Sequence, residues 1–336
     1  MKAIEKAWYS FRWWLFFLWP LMVLFSLISG IRRYLFAAGF KTSTKPAHAK
    51  VIVVGNISVG GNGKTPVVVD IAEYLQKQGW QPGILSRGYG GSHRTFPHQV
   101  SAKDSAAVVG DEPHLMAGRT GLPVVIDPQR ARGAAFLADQ CGCDVIICDD
   151  GLQHYALARD MEIVVMDERR YGNGYLMPMG PLREGIWRLD TVDAILHNVS
   201  CFKEARLLGV VPPQYPMSLT HECVVNVADP SKQLSLEAFS GQFHSVHGIA
   251  GIGNPGRFFR QLKDHGVSLT DTTGFADHYQ YSAADIPPQT VIMTEKDAVK
   301  LVGIAHQDCW YVKASAGLPA AFYRQLDNTL RTKKRK

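Results

Sequence analysis

The chain has 336 residues, 46% of them apolar and 20% charged, with a formal net charge of +6. This is enough apolar material for a substantial core, and it excludes a disordered tail, a collagen and a disulfide-stapled miniprotein; one large α/β unit or two lobes both fit. Divided along the chain, residues 1–50 carry +7 and the terminal RTKKRK +5, leaving 23 basic and 29 acidic residues in the 280 between them. A nucleic-acid-binding body is expected to be basic, and this body is acidic, so no nucleic-acid partner is expected.

The first element is apolar. Trp13 to Ile31 carry no charge for nineteen residues, which as a helix is about 28 Å against a bilayer core of ~30 Å. Four of the seven tryptophans (Trp8, Trp13, Trp14, Trp19) fall in the first nineteen residues, and amphipathic rings favour the membrane interface. The run is too long for the apolar part of a cleaved signal, and export would strand the nucleotide site described below. A full span with a cytoplasmic body would carry Lys2, Lys6 and Arg12 across, against the positive-inside tendency. The expectation is therefore a segment interrupted at Pro20 that dips into the cytoplasmic leaflet, its flanking cations meeting anionic head groups. A full span and a buried apolar helix are the alternatives.

Val51–Val54 read as a buried parallel strand, and Val68, Ile71, Ala72 and Leu75 as one face of a helix ending near Gly79. Between them Gly63-Lys64-Thr65 matches the end of a P-loop, and Gly60, Gly61 and Asn62 supply the tight turn whose N–H groups cradle phosphate. Lys64 is expected on the β/γ-phosphates and Thr65 on Mg²⁺, and Pro66 occupies a first-turn position that needs no N–H. Ser58 stands where the general motif has its first glycine. Gly-Lys-Thr alone is a weak signal; the added glycine pair and the strand-turn-helix context make it specific.

A second strand leads into Ser86 and Arg87, and a helix is expected near Gln129 to Gln140. CDVIICDD then ends in Asp149 and Asp150, the pattern of a strand whose terminal carboxylates hold Mg²⁺ directly or through water; a turn or helix cap is the structural alternative. With a further strand near Met161 to Met166, the alternation implies a mostly parallel sheet with flanking helices, ligands gathering at the strand C-termini. Later expectations are strands near Val192 to Asn198, Ser245 to Gly253 and Gln289 to Thr294, and helices over Gly256 to Asp264 and Pro319 to Leu330. The divisions are 1–40 for the membrane-associated helix, 41–188 for a P-loop lobe and 189–336 for a second, smaller α/β lobe with a basic tail.

Thr294-Glu295-Lys296-Asp297 does not satisfy the base-reading motif of GTPases, and Val59 stands where a signature-lysine ATPase has its lysine. A kinase fits better, because Asp111 and Glu112 in GDEP and His278 in ADHY offer acid/base groups outside the P-loop. Asp111 as a helix cap and His278 as a structural histidine are the competing readings.

The ordered set GNISVGGNGKTP, LSRGYGG, GDEP, CDDGLQH, GPLRE, GIGNPGRFF, ADHY and TEKDAVK resembles the tetraacyldisaccharide 4′-kinases, the lipid A 4′-kinase family of Gram-negative bacteria. The resemblance implies two α/β/α lobes around a cleft. It also implies transfer of the ATP γ-phosphate to the 4′-hydroxyl of an acylated glucosamine disaccharide 1-phosphate, giving lipid IVA, at the cytoplasmic face of the inner membrane. No obligate protein partner is expected. Carried onto this sequence, the catalytic pair is Asp111 and His278. Glu112, Asp149, Asp150 and Gln153 match the magnesium and nucleotide neighbourhood, and Arg183 matches a phosphate-facing arginine. Arg87 and Arg257 are expected near the acceptor's phosphate or carbohydrate.

Overall fold

Among the described residues (3–10, 12–199 and 201–332) short β-branched runs alternate with amphipathic helices, and the computed structural model gathers the runs into one sheet of thirteen strands. In chain order these are β1 (Lys50–Gly55), β2 (Pro82–Ser86), β3 (His98–Gln99), β4 (Val124–Ile126), β5 (Val145–Asp149), β6 (Met161–Asp167), β7 (Ala194–Asn198), β8 (Gln214–Asn226), β9 (Gln233–Leu234), β10 (Val246–Ala250), β11 (Leu269–Gly274), β12 (Thr290–Thr294) and β13 (Cys309–Gly317). They lie side by side as β11-β10-β12-β13-β8-β7-β6-β1-β5-β2-β4-β3, with β9 paired to β8. The β1, β2 and β5 strands are continuous apolar runs because both of their faces are covered, as parallel strands require.

The long β8 joins the two lobes. Its residues 214–217 run parallel to β7, and from Ser218 onward it runs antiparallel to β13. On one face of the first lobe the helix Lys64–Lys77 buries Val67, Val68, Ile71, Ala72 and Leu75; on the other the helix Arg130–Asp139 buries Ala134 and Leu137.

The division expected at residues 188 and 189 cuts across this sheet. β7 pairs in parallel with β6, and the last helix, Ala320–Thr332, returns to the first lobe, where Phe322, Leu326 and Leu330 join the core of Ile71 and Leu75. Each such buried side chain contributes about 1.5–3 kcal/mol, enough to fix that helix to the first lobe. Beside it Tyr74 stacks on Tyr323 at 4.2 Å between ring centroids, and Tyr74 donates to Asp327 at 2.9 Å.

At the N-terminus a 3-10 turn, Trp13–Leu18, leads directly into the α-helix Trp19–Ala37. Pro20 does not interrupt this helix as expected; it lies in the first α-turn, where its missing N–H costs nothing. None of the residues of Trp19–Ala37 is buried, which removes the buried-helix alternative. The segment Trp13–Ala37 is long and apolar enough to cross a membrane. Its foot is docked: Trp8 and Leu15 pack with Met179, and Trp8 Nε1 donates to the Pro178 carbonyl at 3.0 Å. Lys2 and the last four residues of the basic tail lie outside the described residues.

Candidate active site

The P-loop leaves β1 in the middle of the sheet, where Val54 is in register with Asp149 of β5. Gly63, at φ +88°, turns the chain into the helix Lys64–Lys77, and a Cβ there would lie 2.6 Å from Asn198 Nδ2, so the position demands glycine. Ser58 and Asn62 are both buried and face each other, Asn62 Nδ2 donating to Ser58 Oγ at 3.4 Å. The loop is therefore closed from within at the position of the missing glycine. Ser58 also bridges to Leu182, and the Arg183 N–H donates to Ile57 at 2.7 Å, so the GPLRE segment runs alongside the P-loop.

That alignment brings Arg183 to the strand-end carboxylates. Its guanidinium donates to Asp150 Oδ2 at 2.8 Å, and Lys64 Nζ lies 3.4 Å from Asp150 Oδ1. Burial works to raise the Asp150 carboxyl, but the two cations outweigh it and hold the group well below the usual carboxylate range. For its neighbour Asp149 the balance is reversed: burial, helped by the charge of Glu112, outweighs the pull of Lys64 and Arg130 and raises the carboxyl, while the Asp149 carbonyl accepts from Arg130 at 3.1 Å. Asp149 Oδ1 is buried without a hydrogen-bond partner. Gln153 is turned to the floor of the site, donating to the Asn56 carbonyl at 3.1 Å and to Glu184 at 2.9 Å.

Asp111 and Glu112 open the helix Asp111–Thr120, with Gly110 rather than Asp111 in the capping position. Freed from a capping role, Asp111 meets His278 of the other lobe, with His278 Nδ1 3.1 Å from Asp111 Oδ2. His278 has φ +60° and Asp150 φ +48°, a left-handed backbone that costs a non-glycine residue of order 1–3 kcal/mol and persists where the surrounding structure enforces it. Glu112 faces Lys296 at 3.2 Å, and Lys296 also reaches Asp277 at 3.1 Å. Burial disfavours the Lys296 ammonium, but these two carboxylates outweigh burial and raise its pKa.

Two cavities share this wall. The larger, of about 1230 Å³, is lined by Lys64, Asp149, Asp150, Arg183 and His278, and by one face of the N-terminal helix that includes Phe25, Ser29 and Arg33. The smaller, of about 220 Å³, lies on the other side of Lys64 against Thr65, Ile252, Gly253 and Phe258. Thr65 thus faces the smaller cavity and Asp149 and Asp150 the larger, while Gly61, Lys64 and Glu112 line both. Arg87 lines the larger cavity. Arg257 does not join it: its guanidinium donates to Asn198 Oδ1 at 2.8 Å and lines the smaller cavity beside the P-loop, because GIGNPGR packs on the loop with Gly253 directly over Gly61.

Sequence reasoning missed several of these contacts. Arg169 donates to the Gly61 carbonyl at 2.8 Å and to Asn62 Oδ1 at 2.7 Å, and Asn198 donates to the Asn62 carbonyl at 3.2 Å. Arg169 lies just past the C-terminal end of β6 and Asn198 is the last residue of β7, where ligand-facing residues collect; that rule was available to find them. Lys296 carried no comparable signal.

Residues 14–331 match the model of the tetraacyldisaccharide-1-P 4′-kinases. The chain belongs to the tetraacyldisaccharide-1-P 4′-kinase family. Among its relatives is the tetraacyldisaccharide 4′-kinase of Pseudoalteromonas atlantica, 49% identical over 94% of this chain and 100% of that protein. The tetraacyldisaccharide 4′-kinase of Tolumonas auensis is 46% identical over 96% of each. A crystal structure of LpxK from Aquifex aeolicus in complex with ATP superposes with a TM-score of 0.79 at 28% identity, covering 94% of this chain and 99% of that one. As a member of this kinase family the chain is an ATP-dependent kinase of lipid A biosynthesis, and its mixed α/β fold is the family's.

Proposed function

We propose that the chain transfers the γ-phosphoryl group of ATP to the 4′-hydroxyl of the acylated glucosamine disaccharide 1-phosphate at the cytoplasmic face of the inner membrane, with Asp111 and His278 handling the hydroxyl proton. The observation that carries this is the Asp111–His278 pair on the cleft that also holds Lys64 and the apolar helix. One substrate comes from water and the other from the bilayer, and two cavities meeting at Lys64 suit that division. The smaller, with Ile252 and Phe258, takes the nucleoside end. The phosphates cross the helix N-terminus at Gly63-Lys64-Thr65, where the loop N–H groups and the helix dipole favour anions. Arg183 assists Lys64 there.

The larger cavity takes the acceptor. Its acyl chains lie along Trp13–Ala37, and its anionic 1-phosphate meets a cationic patch that includes Arg87. Burial drives the His154 pKa down to about 4, and Arg130, Arg87 and Arg32 add to the effect, which supports a concentration of positive charge in this cleft. His278 Nδ1–H donates to Asp111, leaving Nε2 for the sugar hydroxyl; the nearest carboxylate on that side is Asp277 at 3.9 Å. The hydroxyl oxygen attacks the γ-phosphorus, its O–H bond breaks toward Nε2, and ADP departs with the electrons of the cleaved P–O bond.

Mg²⁺ fits these residues. Among the described residues no group of three or more His, Cys, Asp or Glu side chains forms a complete metal cage. Nucleotide-bound Mg²⁺ needs only one or two carboxylates with phosphate oxygens and water, and the open Oδ1 of Asp149 supplies one. Thr65, Glu112 and Asp150 complete the proposed neighbourhood, and the ion would neutralise charge on the β- and γ-phosphates.

Incubation with γ-labelled ATP and acylated disaccharide 1-phosphate tests the reading. Label is expected in the lipid, and label found only in inorganic phosphate overturns it.

A further inference from the structure

The helix Glu295–Leu301 of the TEKDAVK motif meets the start of the helix Asp111–Thr120 across the two lobes. Lys296 and Lys300 lie at i and i+4 on one face of it, so they reach the same neighbouring surface one turn apart. There they find two consecutive acids. Lys296 takes Glu112 at 3.2 Å, and Lys300 Nζ lies 4.0 Å from Asp111 Oδ2, the oxygen that faces His278.

The side chain of Lys300 is only 3% exposed and that of Asp297 beside it is fully buried, with Nζ 3.0 Å from Asp297 Oδ1. Nζ makes no well-aligned hydrogen bond, so it acts on both carboxylates as a charge. Asp297 is itself held by three donors: Thr294 Oγ1 at 2.6 Å, Tyr281 Oη at 3.0 Å and the Gly251 N–H at 3.1 Å. A Cβ on Gly251 would lie 2.8 Å from Tyr281 Oη and 3.0 Å from Asp297 Oδ1, so glycine is what admits the cluster. The ring of Tyr281 lies 5.0 Å from the ammonium. A buried ammonium is stable only with opposite charge around it. Asp297 supplies one such charge, and the other is the acid of the proton-handling pair.

We propose that Lys300 is a positioning residue for phosphoryl transfer: fixed by Asp297 and Tyr281 of the second lobe, it holds the Asp111 carboxylate of the first lobe in the orientation that presents Oδ2 to His278. This rests on the Asp111–His278 reading above. Lys300 lines neither cavity, so it acts through Asp111 and touches no substrate.

The test compares kcat and KM for ATP in the full-length protein and in Lys300→Met, Lys300→Arg, Asp111→Ala, His278→Ala and the Asp111→Ala/Lys300→Met double variant. Lys300→Met leaves Asp297 its three donors, so the fold is expected to survive. Its kcat is expected to fall at least about tenfold with KM for ATP within about twofold, and Lys300→Arg to recover most of the loss. The double variant is expected to be no slower than Asp111→Ala, because both changes remove one interaction. Should Lys300→Met fail to fold, Lys300→Gln, which keeps a polar group for Asp297 but no charge, makes the same comparison. Near-normal turnover of the Lys300 variants beside slow Asp111→Ala and His278→Ala overturns this role alone, as do losses that multiply in the double variant. Near-normal turnover of Asp111→Ala and His278→Ala overturns the pair, and the role of Lys300 with it.

Discussion

Asp111 Oδ2 and His278 Nδ1 lie 3.1 Å apart although the two residues stand 167 positions apart in the chain. Each comes from a different lobe, one from the first turn of a helix and one from a loop in left-handed conformation. The pair exists only when the lobes are assembled, which couples the geometry proposed for proton handling to how the two halves meet.

Asp111→Ala and His278→Ala are each expected to lower kcat by about 10²-fold or more, with a smaller effect on KM for ATP, since neither touches the P-loop. Steady-state kinetics with varied ATP checks this. Turnover close to that of the unaltered protein in either variant removes that residue from proton transfer.

Lys64→Ala is expected to weaken ATP binding by at least about tenfold, because the ammonium at the P-loop is lost from both cavities. Asp150 keeps its contact with Arg183, so the strand end stays in place. Calorimetric titration with ATP gives the affinity, and a thermal melt unchanged from wild type confirms that the loss is local.

Asp160 offers a pH test away from the site. It is buried, and although burial raises its carboxyl, hydrogen bonds from Lys45 and the Val51 N–H, with the charge of Lys50, outweigh burial and lower the pKa. A folded pKa below the unfolded value of about 3.9 means that its stabilisation is complete above that value and is lost as pH falls through the folded pKa. Asp160→Asn should therefore destabilise by about 1–3 kcal/mol at neutral pH. In urea melts the difference should shrink as pH drops below about 4; a difference constant with pH contradicts the assignment.

Arg33 places its guanidinium carbon 3.5 Å from the ring centroid of Trp187, joining the end of the apolar helix to the wall of the larger cavity. Arg33→Ala and Trp187→Ala are expected to raise KM for the acylated disaccharide about fivefold, leaving KM for ATP unchanged. Equal changes in both constants would mean a general loss of structure.

Deletion of residues 1–36 should release the protein from membranes and impair lipid use more than ATP use. Sedimentation with inner-membrane vesicles checks the first part, and unchanged sedimentation contradicts it. Because one face of that helix, with Phe25, Ser29 and Arg33, lines the larger cavity, detergent-solubilised acceptor should not restore full activity.

The sequence alone determined the elements whose signals are local. The P-loop turn, the strand leading into Asp149 and Asp150, the flanking helices and the apolar N-terminal run are each written in adjacent residues, through glycine geometry and the 2.0 and 3.6 periodicities. It also separated the charge of the acidic body from that of the basic ends. Only the tertiary structure decided what those elements meet. β8 changes partners part-way along its length, the terminal helix returns to the first core, and the division expected at residue 188 falls within one sheet. Arg257 left the acceptor side for Asn198, and the TEKDAVK helix delivered Lys296 and Lys300 to Glu112 and Asp111. The physical reason is the same in each case: a side chain's type and spacing fix its local conformation and its chemistry, whereas partners far apart in the chain are chosen by packing and by the need of every buried charge for an opposite one.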